Sequence, residues 1–200
     1  MKKKLIWIVI AVVLIVFVVC NMKVIDKGTE SQYTGEVVFD AQSSSSSDWD
    51  NVVSEITGKA VDVTTIETLD KSTLGLGTAV TIKGTIAEYS SKATGKKNSI
   101  TVVPDGYTGD VTFVVELGSI YTSTNTALRD TQTAKSLTND FTNQTEWSQY
   151  AKALNDQSYA NVVTPLNIDE SVQGKTVTIV GAATASGKTV TITPVSMSIE

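Results

Sequence analysis

The sequence predicts a mainly β protein: an OB-fold-like, five-stranded Greek-key barrel with a helix between strands three and four, preceded by short helices and an N-terminal membrane anchor. Three observations predict it. From Gly77 onward apolar residues alternate with polar ones, the period of a strand with one buried face. The order of the segments, three strands, a helix and two strands, is that of the five-stranded Greek-key barrel. The pattern G-x-x-V-T-I-x-G occurs twice, at 77–84 and 174–181, in the first and fourth strands, which close such a barrel against each other.

Residues 1–25 read as a signal or anchor. Lys2, Lys3 and Lys4 precede an unbroken apolar run from Leu5 to Val19, which ends at Cys20, the sole cysteine. At a helical rise of about 1.5 Å per residue, Leu5 to Cys20 spans roughly 24 Å, short of the ~30 Å hydrocarbon core. Met22, Val24 and Ile25 extend the helix if Lys23 snorkels to the interface. The lysines hold the N-terminus in the cytoplasm, which puts the chain beyond about residue 25 outside it. Two fates fit this segment: lipidation of Cys20, or retention as an uncleaved transmembrane helix. Phe17-Val-Val-Cys20 has valine where a lipoprotein signal has a small residue, and no small-x-small cleavage site follows.

Residues 26–47 read as an extended linker that ends in the run Ser43 to Ser47, because serine competes with the helix for backbone hydrogen bonds. The extracytoplasmic domain then covers 48–200, with short helices over 48–70 and the barrel over 77–200. Ser47 is placed to cap the first helix, with Asp50 three residues on. Trp49, Val52, Val53 and Ile56 recur at helical spacing, and Gly58 stands where a left-handed stop belongs. A second short helix is expected from Thr65 to Leu69.

In the first strand Val80, Ile82 and Ile86 face one way and Thr81, Lys83 and Thr85 the other. The second strand runs from Ser99 to Val103 into the turn Pro104-Asp-Gly106, and the third turns Val111, Phe113, Val115 and Leu117 inward. Asn143 with Glu146 starts the helix that follows, where Trp147, Tyr150, Ala151 and Leu154 repeat at helical spacing. This helix is expected to plug one end of the barrel, burying Trp147 and Leu154. The fourth strand covers Thr176 to Ala182 and the fifth starts at Lys188. Its apolar parity slips between Ile192 and Val195, which implies a bulge near Thr193-Pro194.

The chemistry available is narrow. Net charge is −5, and an acidic surface repels phosphate backbones, so nucleic acid is excluded as a partner. One cysteine allows no intramolecular disulfide, and the absence of histidine removes the Ser-His-Asp and Cys-His nucleophilic systems. Asp48, Asp50, Glu55, Asp130, Asp140 and Glu146 stand at no spacing that singles out an acid/base pair. No catalytic residue, metal ligand or cofactor motif is therefore assigned. Arg129 is the only arginine, and its planar fork suits either a structural clamp or, with Asn143 and Gln144, a polar patch that recognises a ligand. Lys92, Lys96 and Lys97 make the turn between the first two strands basic, which suits a solvated hairpin or contact with anionic lipid or glycan.

Thr126-Ala-Leu-Arg-Asp130, Phe141-Thr-Asn-Gln144, Ala153-Leu-Asn155, and Phe39-Asp-Ala41 with Trp49 after it resemble an uncharacterised family of predicted periplasmic lipoproteins, often encoded beside sugar ABC transporters. The chain departs from that pattern at Asn125, where members tend to have glycine, and at the residues before Cys20. The resemblance implies an envelope protein with membrane lipid and sugar ABC transporter components as partners, and it supplies no catalytic residues. The expectation is a membrane-anchored, non-catalytic binding or accessory module on the extracytoplasmic face. The alternative is an envelope hydrolase using paired carboxylates.

Overall fold

A computed structural model of the protein describes residues 39–91, 98–118 and 125–200. The expectations for Lys2 to Ile25, for Cys20, for the first part of the linker and for the Lys92–Lys97 turn lie outside these residues. Asp40 to Glu200 forms one compact unit. Its elements are helix α1 (Ala41–Lys59), the short strand β1 (Val61–Asp62), helix α2 (Lys71–Leu74), strands β2 (Thr78–Ser90), β3 (Ser99–Pro104) and β4 (Thr112–Glu116), helices α3 (Ala127–Thr131), α4 (Leu137–Asp140) and α5 (Gln144–Ser158), and strands β5 (Thr176–Ser186) and β6 (Thr189–Ile199).

The fold is mainly β, a closed barrel of five strands in which hydrogen bonding runs β2-β3-β4-β6-β5 and returns from β5 to β2. All pairings in the ring are antiparallel except β4 with β6. Strand β1 adds to β2 in parallel at Val61 and Val80. The alternation read from the sequence fills the interior: Val80, Ile82, Ile100, Phe113, Val115, Ile179, Val190 and Ile192 all belong to one buried cluster. Each such side chain contributes about 1.5–3 kcal/mol by leaving water.

The repeated motif explains how the ring closes. Its two copies pair antiparallel about Ile82 and Ile179, so that Gly84 stands opposite Val177 and Gly181 opposite Val80. On the other side of each strand the same glycines face Pro104 and Pro194. A Cβ on Gly84 would lie 2.1 Å from the Val103 carbonyl oxygen, and one on Gly181 would lie 2.4 Å from that of Thr193. Glycine is required at both corners because a neighbouring backbone occupies the space of a side chain. The bulge in β6 falls at Val195, where the register steps from Pro194 to Ser196.

Three local expectations are corrected. The serines from Ser43 to Ser47 are not linker but the first turns of α1, because Asp40 rather than Ser47 is the N-cap and accepts from the Gln42 and Ser43 amides at 3.1 and 3.0 Å. Ser45 and Ser47 satisfy their hydroxyls on carbonyls three residues back, and the packing of Trp49, Val52 and Ile56 outweighs serine's weak helix preference. Gly58 does not stop the helix, which ends at Lys59 with extended Ala60 as its cap. In place of a helix over Thr65–Leu69 there are a 3-10 turn (Val63–Thr65) and α2, because Asp62 and Asp70 capture the amides just after them.

Helix α5 lies against the outside of the barrel rather than in its end. Ala79, Ala182 and Thr193 point outward from β2, β5 and β6 and stand in one cross-strand row, yet all three are buried. Helices α1, α3 and α5 cover that region, α5 packing on α1, and the Ser158 hydroxyl at the end of α5 donates to the Pro194 carbonyl at 2.5 Å. Small side chains in the row let the helices approach closely. What joins the barrel's apolar core is the chain after α5, through Tyr159, Val162, Val163, Leu166 and Val172. Trp147, expected to be buried, is half-buried: it lies outside the barrel's apolar core, with Arg129 over its ring and Phe141 edge-on against it.

Candidate functional site

Arg129 sits on α3 with its side chain 11% exposed. Its Nε and Nη2 reach Asp130 Oδ1 at 2.8 and 2.7 Å, its Nη1 donates to the Trp147 carbonyl at 3.4 Å, and its guanidinium lies 4.5 Å from the centre of the Trp147 ring. Asp130 Oδ2 accepts from the Thr126 hydroxyl at 2.6 Å. These contacts join α3 to the first turns of α5. Asn143 spends its side-chain oxygen on the Thr145 and Glu146 amides at 2.9 and 3.0 Å, as the helix N-cap, and Gln144 is exposed. The structure therefore connects Arg129 to the helix through Trp147, and it aims Asn143 at its own helix rather than at a shared patch.

Of the six carboxylates raised by the sequence, all but the exposed Asp50 are engaged in the same way. Asp48 pairs with Lys135 at 2.8 Å and accepts from the Tyr150 hydroxyl at 3.0 Å. Burial, then the Asp48 charge, push the Tyr150 phenol far above its usual range. Glu55 takes Lys59 at 2.5 Å and both the amide and hydroxyl of Thr133. Burial raises its pKa, but the hydrogen bonds from Lys59 and Thr133 outweigh that and hold it below the ordinary carboxylate value. Asp140 accepts from the Ser136 amide and Glu146 from the Thr142 amide. Among the described residues no three acidic or cysteine side chains gather so as to hold a metal ion.

Open space lies elsewhere, on the outer face of β4, β6 and β5. A groove of about 300 Å³ there is lined by Glu116, Asn125, Thr126, Thr184 and Thr191, with Lys71 among its walls. Thr184 and Thr191 are paired across β5 and β6, and the parallel pairing of β4 with β6 brings Glu116 beside them. Glu116 also lines a second, much smaller cavity with Asn155, Ser158 and Thr193. The sequence reading missed this group. Its one signal was that Asn155 and Ser158 stand one and four residues beyond Leu154, on the apolar face of α5, where a polar residue needs a reason.

The fold and the groove define a class: a small closed β-barrel domain with a helical layer on one outer face and a polar groove at that layer's edge. The chain belongs to the family of predicted periplasmic lipoproteins (DUF2291), whose pattern matches residues 9–198. By that description it is an extracytoplasmic lipoprotein held at a membrane. Among the described residues no helix is long and apolar enough to cross one. No curated protein matches the chain, and no solved structure does.

Proposed function

We propose that this protein is a membrane-tethered extracytoplasmic binding or accessory module with no chemistry of its own, and that it serves a carbohydrate ABC importer. The tether is its N-terminal segment, either lipidated at Cys20 or retained with the N-terminus in the cytoplasm. The barrel is of the OB type, a reading supported by its closure order and by the single parallel pairing of β4 with β6. The observation that carries the function is the groove of about 300 Å³, walled by hydroxyl and amide groups around one carboxylate, which suits recognition by hydrogen bonding. Asp48, Glu55, Asp130, Asp140 and Glu146 are all committed to caps and ties. Where a carboxylate is displaced in pKa it is displaced downward, against the direction a general acid needs. Both facts favour the module over a hydrolase. The importer as partner rests on the family resemblance alone.

The test is a photo-crosslinking amino acid in the full-length protein in cells. Leu76 lines the groove and is 67% exposed, whereas Val103 is 52% exposed on β3 and outside it. Crosslinks from position 76 to an importer subunit, with none from position 103, are expected. No adduct at 76, or equal adducts at both, would overturn the reading. Palmitate labelling that disappears in Cys20→Ala selects the lipidated tether.

A further inference from the structure

Beside the groove, where β4 leaves the sheet, lies the cavity of about 10 Å³ that Glu116 shares with Asn155, Ser158 and Thr193, closed on its apolar side by Tyr159 and Val163. That volume holds one water-sized occupant. Asn155 and Thr193 are each 4% exposed, and Asn155 Oδ1 and Thr193 Oγ1 have no hydrogen-bond partner among the described residues. Two orphaned polar atoms on one cavity, in a native fold, call for a ligand.

The chemistry of the wall follows from the bonds around it. Asn155 Nδ2 donates to the Asn125 carbonyl at 2.7 Å; a carbonyl only accepts, so the orientation of the amide is fixed and the unpaired atom is its oxygen. The Ser158 hydroxyl gives its proton to Pro194 at 2.5 Å, which leaves only lone pairs for any other partner. Glu116 adds a carboxylate. Oxygen acceptors predominate, and one of them carries charge. A wall of this kind suits an electropositive occupant bound through oxygen.

We propose that this cavity is a binding site for a small hard cation, calcium or sodium, held by Glu116, Asn155, Thr193 and Ser158. Magnesium is disfavoured, because it gives up its water shell reluctantly and the cavity has no room for that shell. Occupancy would bridge the end of β4, the bulged strand β6 and helix α5, and so brace one wall of the groove. The proposal does not depend on what the groove binds.

The test is thermal unfolding of the full-length protein in detergent, stripped with chelator into a choline chloride buffer and titrated with calcium, sodium or magnesium chloride at constant ionic strength. A saturable rise in Tm with calcium or sodium, at least tenfold weaker in half-saturation for magnesium, is expected, and the ion that produces it names the occupant. Thr193→Val, which keeps the shape and removes one ligand oxygen, should weaken that half-saturation at least tenfold. Glu116→Gln should do the same and stands in if Thr193→Val does not fold. No ion-specific rise, as when the cavity holds only water, or a rise that survives both substitutions, would overturn the proposal.

Discussion

Arg129 is the residue where a structural and a recognition role part, and its contacts favour the clamp. The guanidinium is nearly enclosed, spans Asp130 and the Trp147 carbonyl, and lies on the Trp147 ring. Lysine would keep the charge but lose the fork, so Arg129→Lys should cost about 1–3 kcal/mol in urea unfolding. A variant that unfolds like the parent and fails only in binding would return Arg129 to the recognition role. Glu55 makes a second residue-scale prediction. Its pKa in the folded protein lies below the unfolded value of 4.5, so the stability it contributes is fully present above that value and lost as pH falls through the lowered one. Glu55→Gln should therefore flatten part of the loss of stability on acidification, read from Tm between about pH 3 and 6, and leave the alkaline side unchanged.

At the scale of elements, helix α5 separates capping from packing. Asn143→Ala removes the acceptor of two amides and should cost about 0.5–2 kcal/mol. Its exposed neighbour Gln144→Ala should fall within about 0.5 kcal/mol of the parent. Leu154 is fully buried and Trp147 only half, so Leu154→Ala should cost about 2–5 kcal/mol and Trp147→Ala less, measured under the same conditions. The five barrel strands were legible because each has one buried face, which writes a period of two into the sequence, and the glycines of the repeated motif marked the pair that closes the ring. The starts of the helices before the barrel were less legible, because Asp40, Asp62 and Asp70 choose them through side-chain hydrogen bonds that compete with serine-rich and threonine-rich neighbours. The small cavity beside the groove was barely legible: Glu116, Asn155 and Thr193 are far apart in the chain, and only the parallel pairing of β4 with β6 and the docking of α5 bring them together.

The whole molecule has apolar residues buried on both sides of one stretch of sheet. The interior of the barrel is one cluster; Trp49, Val52, Ile56, Leu128, Tyr150 and Leu154 form a layer buried outside it. The two meet across β2, β5 and β6, where Ala79, Ala182 and Thr193 keep the surface low enough for the helices to sit. The row of small residues is thus the seat on which the helical layer docks. Two of the three tryptophans, Trp49 and Trp147, lie in the helical layer and the barrel strands hold none, so in a Trp7→Phe background fluorescence reports the layer, while the loss of amide-exchange protection in the strands, followed across the same urea series, reports the sheet. In that background the two urea transitions should coincide. Ala182→Leu inserts a branched side chain under the helices without touching the inward face, an overpacking worth about 1–3 kcal/mol. It should move the fluorescence transition to lower urea and leave the strand-protection transition nearer its original position. If both transitions shift together, the helical layer is an inseparable part of the barrel's fold rather than a layer docked on it through this row.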